Sequence, residues 1–435
     1  MTGRARPRPG VDLYLFPAVV GGGLGDIEEV LLAGRRLAPR VGRPVLFRRP
    51  GRPLPRSVDG PFEWPPLRRR SAPAGTAPRA VTLSAWWGVS AAPAREGPLG
   101  RGGPWSEECA AVEAAYGRGN VLHVSFEEFA RTLTSRAQTV ERWREGGVPL
   151  RTIRARLRRR GTRAEIAEFH DAFRRFRAFD RPDVLHLYPS FLPARAFRRE
   201  FPEAVPCGPF WPAPVRPPPP PRAGRWVWYA SPGSSDRLAA GIARHWDPAA
   251  PPVTIEVRAP VPFDLPEVPG LHWERVPPEP ARSWRRRLAS AEMRVVTGSR
   301  TLLEAIADGG PFLYFNGVLG SGLSTRRHRP EKIVSLLALW RRRGVPELYR
   351  DGLASFSNAR GLARVLRAAR TAAWRTGFPR GLRPAGFPAP YDDAEALLAS
   401  TVRRFAMGGR TAEEVVADVR SGALREPGAL PSSWV

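Results

Sequence analysis

In MRVVTGSRTLLEAIAD, Met293–Asp308, four residues that could do chemistry stand close together: Gly298, Ser299, Thr301 and Glu304. Arg294–Val296 have strand character, Gly298-Ser299 break it, and Thr301–Ala307 carry helical spacing. A buried strand that feeds a helix through a small-residue turn points backbone N–H groups at one spot. The helix N-terminus adds about half a positive charge there. A phosphate is the ligand such a turn suits, and Glu304, one turn into the helix, can reach ribose hydroxyls. The alternative is an ordinary strand–turn–helix of an α/β protein with no ligand.

A second candidate lies near the start. VDLYLFPAVV, Val11–Val20, reads as a buried strand and runs directly into GGGLGD, in which Gly21, Gly22, Gly23 and Gly25 precede Asp26. Ile27–Leu37 then has helical spacing. Glycines at such a turn let a ligand approach the backbone. The dinucleotide fingerprint is incomplete, because its last glycine position holds Asp26. A tight turn without a ligand fits equally well. His123 lies in Val121–Val124, a short strand. It is a candidate acid–base group, or a strand residue whose ring is satisfied by neighbours.

The elements that must position these residues alternate between strand and helix through most of the 435 residues. Strands are expected at Arg43–Phe47, Val81–Trp86, Asp183–Tyr188, Ala204–Cys207, Arg225–Ala230, Val253–Val257, Leu271–Val276 and Phe312–Phe315. Helices are expected at Ser106–Tyr116, Pro193–Phe201, Leu238–Trp246, Trp284–Ala291 and through Asp392–Arg420. Alternation of this kind in both halves indicates parallel sheets in two Rossmann-like domains. Pro217–Pro221 can be neither helix nor ladder and form a stiff connector. The expected division is residues 1–211, with a basic helical insertion at about 126–180, a Pro-rich linker at 212–224, a second domain at 225–390, and closing helices at 391–435.

Bulk properties narrow the function classes. Hydrophobic residues make up 42% of the chain, as a globular protein requires, and the formal net charge is +28. That charge invites nucleic acid, yet nearly all of it is arginine, with Lys332 the single lysine, alongside abundant Pro, Gly and Ala. Codon drift on solvated faces explains much of it. Affinity for anions is expected, and no dedicated nucleic-acid role. RTIRARLRRRGTR, Arg151–Arg163, and the apolar stripe Ile166, Phe169, Phe173 and Phe176 form either a solvated helix face or a contact with an acidic membrane surface. Cys109 and Cys207 show neither metal-ligand spacing nor a disulfide framework. No signal-type segment follows the basic N-terminal residues, and no run reaches the roughly 18 apolar residues of a membrane span. A cytoplasmic location, or a peripheral one at a membrane surface, fits.

The second half resembles the donor domain of GT-B fold glycosyltransferases over about 110 residues, in the order YASPGSS, HWERVPPEPARSWRRRLASAEM, VVTGSRTLLEAIADGGP and STRRHRPEKI. The first half is similar, less tightly, to the acceptor domain through GGGLGD and CGPFWP. The resemblance implies two Rossmann-like domains facing across a cleft and a nucleotide-diphosphate sugar as co-substrate, with no other cofactor. The acceptor would be a small molecule, a glycan or a lipid-linked group. It implies that Gly298, Ser299 and Thr301 cradle the diphosphate, that Gly233, Ser234 and Ser235 close over it, and that Glu304 holds the ribose. Arg327 and His328 would line the sugar end. Arg300 replaces the small residue of many members, and can either neutralise the second phosphate or block the site. Asp26 is the expected general base, with Glu28 and His123 as substitutes. No paired carboxylates of the DxD kind are present, so no metal is expected. Two other readings stay open: a GT-B-shaped protein that binds without chemistry, and an Arg-rich binder of nucleic acid or membrane.

Overall fold

The computed structural model describes residues 11–16, 30–37, 44–46, 77–84, 111–126, 182–191, 204–212, 215–217, 219–230, 235–259, 262–314, 331–347, 349–350, 359–371, 374, 377–378 and 394–423. Eleven strands among them form two sheets, and every strand pairing is parallel.

The first sheet contains β1 (Val11–Phe16), β2 (Pro44–Leu46), β3 (Arg79–Ser84), β4 (Val121–Phe126), β5 (Val184–Pro189) and β6 (Ala204–Cys207), in the order β2-β1-β3-β4-β5-β6. The second contains β7 (Arg222–Tyr229), β8 (Val253–Arg258), β9 (Leu271–Arg275), β10 (Ala291–Val296) and β11 (Phe312–Tyr314), in the order β11-β10-β7-β8-β9. Each sheet reverses its direction of growth once, between β1 and β3 in the first and between β7 and β10 in the second. These reversals are the switch points at whose carboxyl ends open α/β sheets bind ligands. The fold is α/β with two Rossmann-like parallel sheets, as the alternation predicts.

Parallel sheets need cover on both faces, and period-two alternation supplies it. In β1, Val11, Leu13 and Leu15 join a core with the helix at residues 30–37 (α1) and the last two helices of the chain, while Tyr14 faces the other way toward the helix at 111–116 (α2). In β7, Trp226 and Trp228 enter the main core of the second unit, and Val227 packs against Trp284 and Leu288. The second unit carries α3 (Ser235–Arg244), α4 (Ala281–Ala289), α5 (Ser299–Asp308), α6 (Glu331–Arg342) and α7 (Ala359–Ala369).

The closing stretch is two helices, α8 (Ala394–Ala406) and α9 (Ala412–Ser421). Gly408 and Gly409, both at positive φ, separate them, and Thr411 and Glu414 form a capping box that starts α9. Leu397, Val402, Phe405, Val415 and Val419 complete the core of the first sheet. Arg79 donates to the carbonyls of Phe405 and Arg410, and Arg420 donates to that of Val184. Chain end and chain start therefore share one core.

Several element limits differ from expectation. The strand expected at Arg225–Ala230 starts at Arg222, inside the anticipated linker, because the Arg222 N–H bonds Ser290 O ahead of β10. β10 starts at Ala291, where the expected helix Trp284–Ala291 has already ended. Phe126, assigned to the basic helical insertion, closes β4; the rest of that insertion and the helix expected at Pro193–Phe201 lie outside the described residues. Phe191 and Trp211, which follow the carboxyl ends of β5 and β6, pack in the core of the second unit. Among the described residues no helix is long and apolar enough to cross a membrane.

Candidate functional site

The turn after β10 sits at the second sheet's switch point. β7 and β10 are neighbours, with Val295 opposite Trp228. Just beyond the carboxyl end of β10, the buried Thr297 hydroxyl donates to Tyr229 O, at the end of β7, over 2.7 Å. Gly298 follows in extended conformation and α5 begins at Ser299. The Thr301 hydroxyl lies 3.3 Å from both the N–H and the carbonyl of Gly298, accepting from the first or donating to the second. This contact within the turn holds its shape. α5 forms because Leu302, Leu303, Ala305 and Ile306 present one apolar face to the core. Gly309, at φ 69°, ends it in the left-handed region that suits glycine.

Charge surrounds the first turns of α5. Glu304 is 7% exposed, and its Oε1 meets Arg300 Nε at 3.2 Å and Arg285 Nε, from α4, at 3.7 Å. Arg285 also donates to Asp308 at 3.1 Å. Asp308 in turn accepts the Val215 N–H, so the connector between the two sheets is tied to the same helix. Arg300 Nη1 is buried and, among the described residues, has no hydrogen-bond partner. A buried guanidinium N–H left without an acceptor, on a residue of a helix's first turn, is an environment for an anion.

Behind this turn lies Arg294 of β10, 3% exposed. It donates to the carbonyls of Leu288 at 2.8 Å, Ala289 at 3.0 Å and Ala305 at 3.4 Å. One guanidinium thus satisfies carbonyls at the end of α4 and in α5, and locks the two helices that flank the turn. Burial pushes it down to about 10, with the Asp308 charge opposing that shift and Arg285 adding to it, so it is cationic at neutral pH.

The expected donor residues Gly298, Ser299, Arg300, Thr301 and Glu304 come together here. Ser235 opens α3 directly after the segment that follows β7. Gly233, Ser234, Arg327, His328, the glycines Gly21, Gly22, Gly23 and Gly25, and the carboxylates Asp26 and Glu28 lie outside the described residues. His123 stands elsewhere. It is the third residue of β4, toward the amino end, with Nδ1 2.8 Å from Thr82 Oγ1 and Nε2 2.8 Å from Glu113 Oε1. Sequence reasoning passed over Thr297, Arg285, Asp308 and Arg294. The signal for Arg294 was a charge inside an apolar strand. Arg285 had none, being one arginine among many in ARSWRRRLA.

No known protein family and no curated protein matches the chain. Solved structures similar to it include the following three. A glycotransferase of kitacinnamycin is 14% identical, with 84% of this chain and 94% of that one covered and a TM-score of 0.37. An alpha-glucosyltransferase, in complex with UDP-glucose and DNA containing an abasic site, is 11% identical over 83% and 93%, with a TM-score of 0.38. MurG of Acinetobacter baumannii is 11% identical over 83% and 95%, with a TM-score of 0.35.

Proposed function

We propose that the protein transfers a sugar from a nucleotide-diphosphate sugar to an acceptor hydroxyl, with no metal in the transfer step. The observation that carries this reading is the turn Thr297–Ser299. It lies at the switch point of the second sheet and opens α5, whose first turn carries Arg300 with a buried Nη1 that has no hydrogen-bond partner among the described residues. Backbone N–H groups, the helix N-terminus and Arg300 together suit a leaving diphosphate, whose growing charge is what such donors stabilise. Both arginines meet Glu304 at Oε1, which leaves its other oxygen for ribose hydroxyls. The base in this reading is Asp26, at the end of the glycine-rich sequence GGGLGD that follows β1. His123 is not assigned to the reaction, because it sits toward the amino end of its strand with both ring nitrogens engaged. The acceptor is a small molecule, a glycan or a lipid-linked group, and the basic segment Arg151–Arg177 supplies peripheral contact with an acidic membrane in the last case.

A thermal-shift screen of UDP-, GDP- and ADP-sugars tests donor binding. Saturable stabilisation by one nucleotide class, lost in Glu304→Ala, is the expected result; no shift with any of them overturns the reading. One observation favours a second reading, a GT-B-shaped protein that binds a donor without turning it over: Arg300 already pairs with Glu304. Transfer or hydrolysis of the bound sugar, abolished by Asp26→Asn, decides between the two.

A further inference from the structure

Arg300, Glu304 and Asp308 follow one another at i, i+4 spacing, so they form a single stripe along α5 from its first turn to its last residue. Arg285 of α4 lies across that stripe, with Nε 3.7 Å from Glu304 Oε1 and Nη2 3.1 Å from Asp308 Oδ1. Little water reaches these side chains: Arg285 is 16% exposed, Glu304 10% and Asp308 4%. Asp308 stands at the carboxyl end of α5, where the helix macrodipole disfavours a negative charge. What it holds explains its place: Arg285 on one side and, on the other, the Val215 N–H of the connector at 3.0 Å.

Each carboxylate serves both of its neighbours through one oxygen. Glu304 Oε1 meets Arg300 and Arg285, and Asp308 Oδ1 accepts from Arg285 and from Val215. The second oxygen of Asp308, Oδ2, is buried and has no hydrogen-bond partner among the described residues. Two donors on one oxygen are not independent. A guanidinium drawn toward one carboxylate turns away from the other, and the shared oxygen follows it. Away from water such bonds strengthen, and a shift at one is felt at the next. The stripe therefore runs unbroken from the turn at the start of α5 to the connector.

We propose that Arg285 and Asp308 are positioning residues: they orient the Glu304 carboxylate toward the ribose of a nucleotide donor, and through Val215 they pass the state of that carboxylate to the connector between the sheets. The ribose half rests on the donor reading above; the link to the connector does not. Arginine suits the position because its fork reaches two carboxylates at once, which the single ammonium of lysine does not reproduce. The connector is a suitable receiver. Val215 precedes Pro217–Pro221, whose rings restrict the backbone, so a displacement is carried toward β7 and not absorbed.

The test uses the full-length protein. Calorimetry with UDP, GDP and ADP finds the nucleotide, and inorganic pyrophosphate is the probe without a ribose. Asp308→Asn keeps an acceptor for Val215 and removes the charge that holds Arg285. The expected result is a loss of about tenfold in nucleotide affinity, with pyrophosphate affinity unchanged. Equal losses for both probes, which a loosened helix gives, overturn the proposal. The ligand-free arm follows hydrogen exchange at Val215 by mass spectrometry; Pro212, Pro214 and Pro217–Pro221 have no amide proton, so few signals compete. Arg285→Met leaves the Val215 N–H and its acceptor in place, and the expected result is exchange that is several-fold faster. Unchanged exchange overturns the proposal whatever binds. A parent that binds none of the nucleotides sinks the donor reading and the ribose half with it, and faster exchange in Arg285→Met then still establishes the link to the connector.

Discussion

Replacing Gly310 by alanine puts the buried Arg294 lock under direct stress. A Cβ at Gly310 would lie 2.5 Å from both Cζ and Nη2 of Arg294. A guanidinium is normally the mobile end of a flexible side chain and could step aside. This one is held by three carbonyls, and moving it breaks at least the bonds of Nη2 to Ala289 and Nη1 to Ala305. Overpacking costs about 1–3 kcal/mol, and each lost hydrogen bond to a charged donor about 1.5–3 kcal/mol. Partial relaxation keeps the total near the lower end, so the expected loss is about 4 kcal/mol. The neighbour Gly309 is the internal control. It has φ 69°, and a Cβ there would meet nothing within 4 Å among the described residues, so alanine costs backbone strain alone, about 1 kcal/mol. Urea unfolding followed by tryptophan fluorescence reads the second unit, where Trp226, Trp228, Trp340 and Trp374 are buried. In an Arg294→Met background the Gly310→Ala penalty should nearly vanish. If Gly310→Ala instead stays within about 0.5 kcal/mol of the parent, the guanidinium is free to swing and the lock does not exist.

Two further outcomes follow from buried charge and close contact. Glu256, fully buried on β8, accepts from Arg222, Arg225 and Arg287. Burial pushes its carboxyl up, but the bonds from Arg287 and Arg225 and the charges of Arg287 and Arg222 outweigh this and hold it below the usual range. A depressed folded value means stability that is present above the unfolded carboxyl value, about 4.3, and lost as pH falls through the folded one. The urea midpoint of the parent should therefore drop on acidification below about pH 4, and Glu256→Gln should lack that component. At neutral pH the same variant costs about 1–3 kcal/mol, limited because the freed guanidinia are partly exposed and rehydrate. In the first unit, a Cβ at Gly34 of α1 would lie 2.7 Å from Leu15 Cδ2. Gly34→Ala should cost about 1–3 kcal/mol in chemical denaturation, and Leu15→Val in the same chain should recover part of it.

The order of strands and helices was legible in the sequence because hydrophobic period reports burial directly, residue by residue. Two Rossmann-like units, the small-residue turn before α5, and the residues Gly298, Ser299, Arg300, Thr301 and Glu304 as neighbours all follow from spacing within one short stretch. A turn between a strand and a helix brings its own residues together whatever else the chain does. Boundaries were less legible: Arg222–Gly224 read as linker because they directly follow Pro217–Pro221, yet pairing with the stretch before β10 extends β7 through them. Only the tertiary structure placed Arg285 on Glu304 and Asp308 and turned Arg294 inward onto three carbonyls. Those contacts join residues of different elements. In a chain with 69 basic residues, nearly all arginine, no local pattern marks which ones turn inward. Strand order and register make that selection, because they alone determine which side chains share a face.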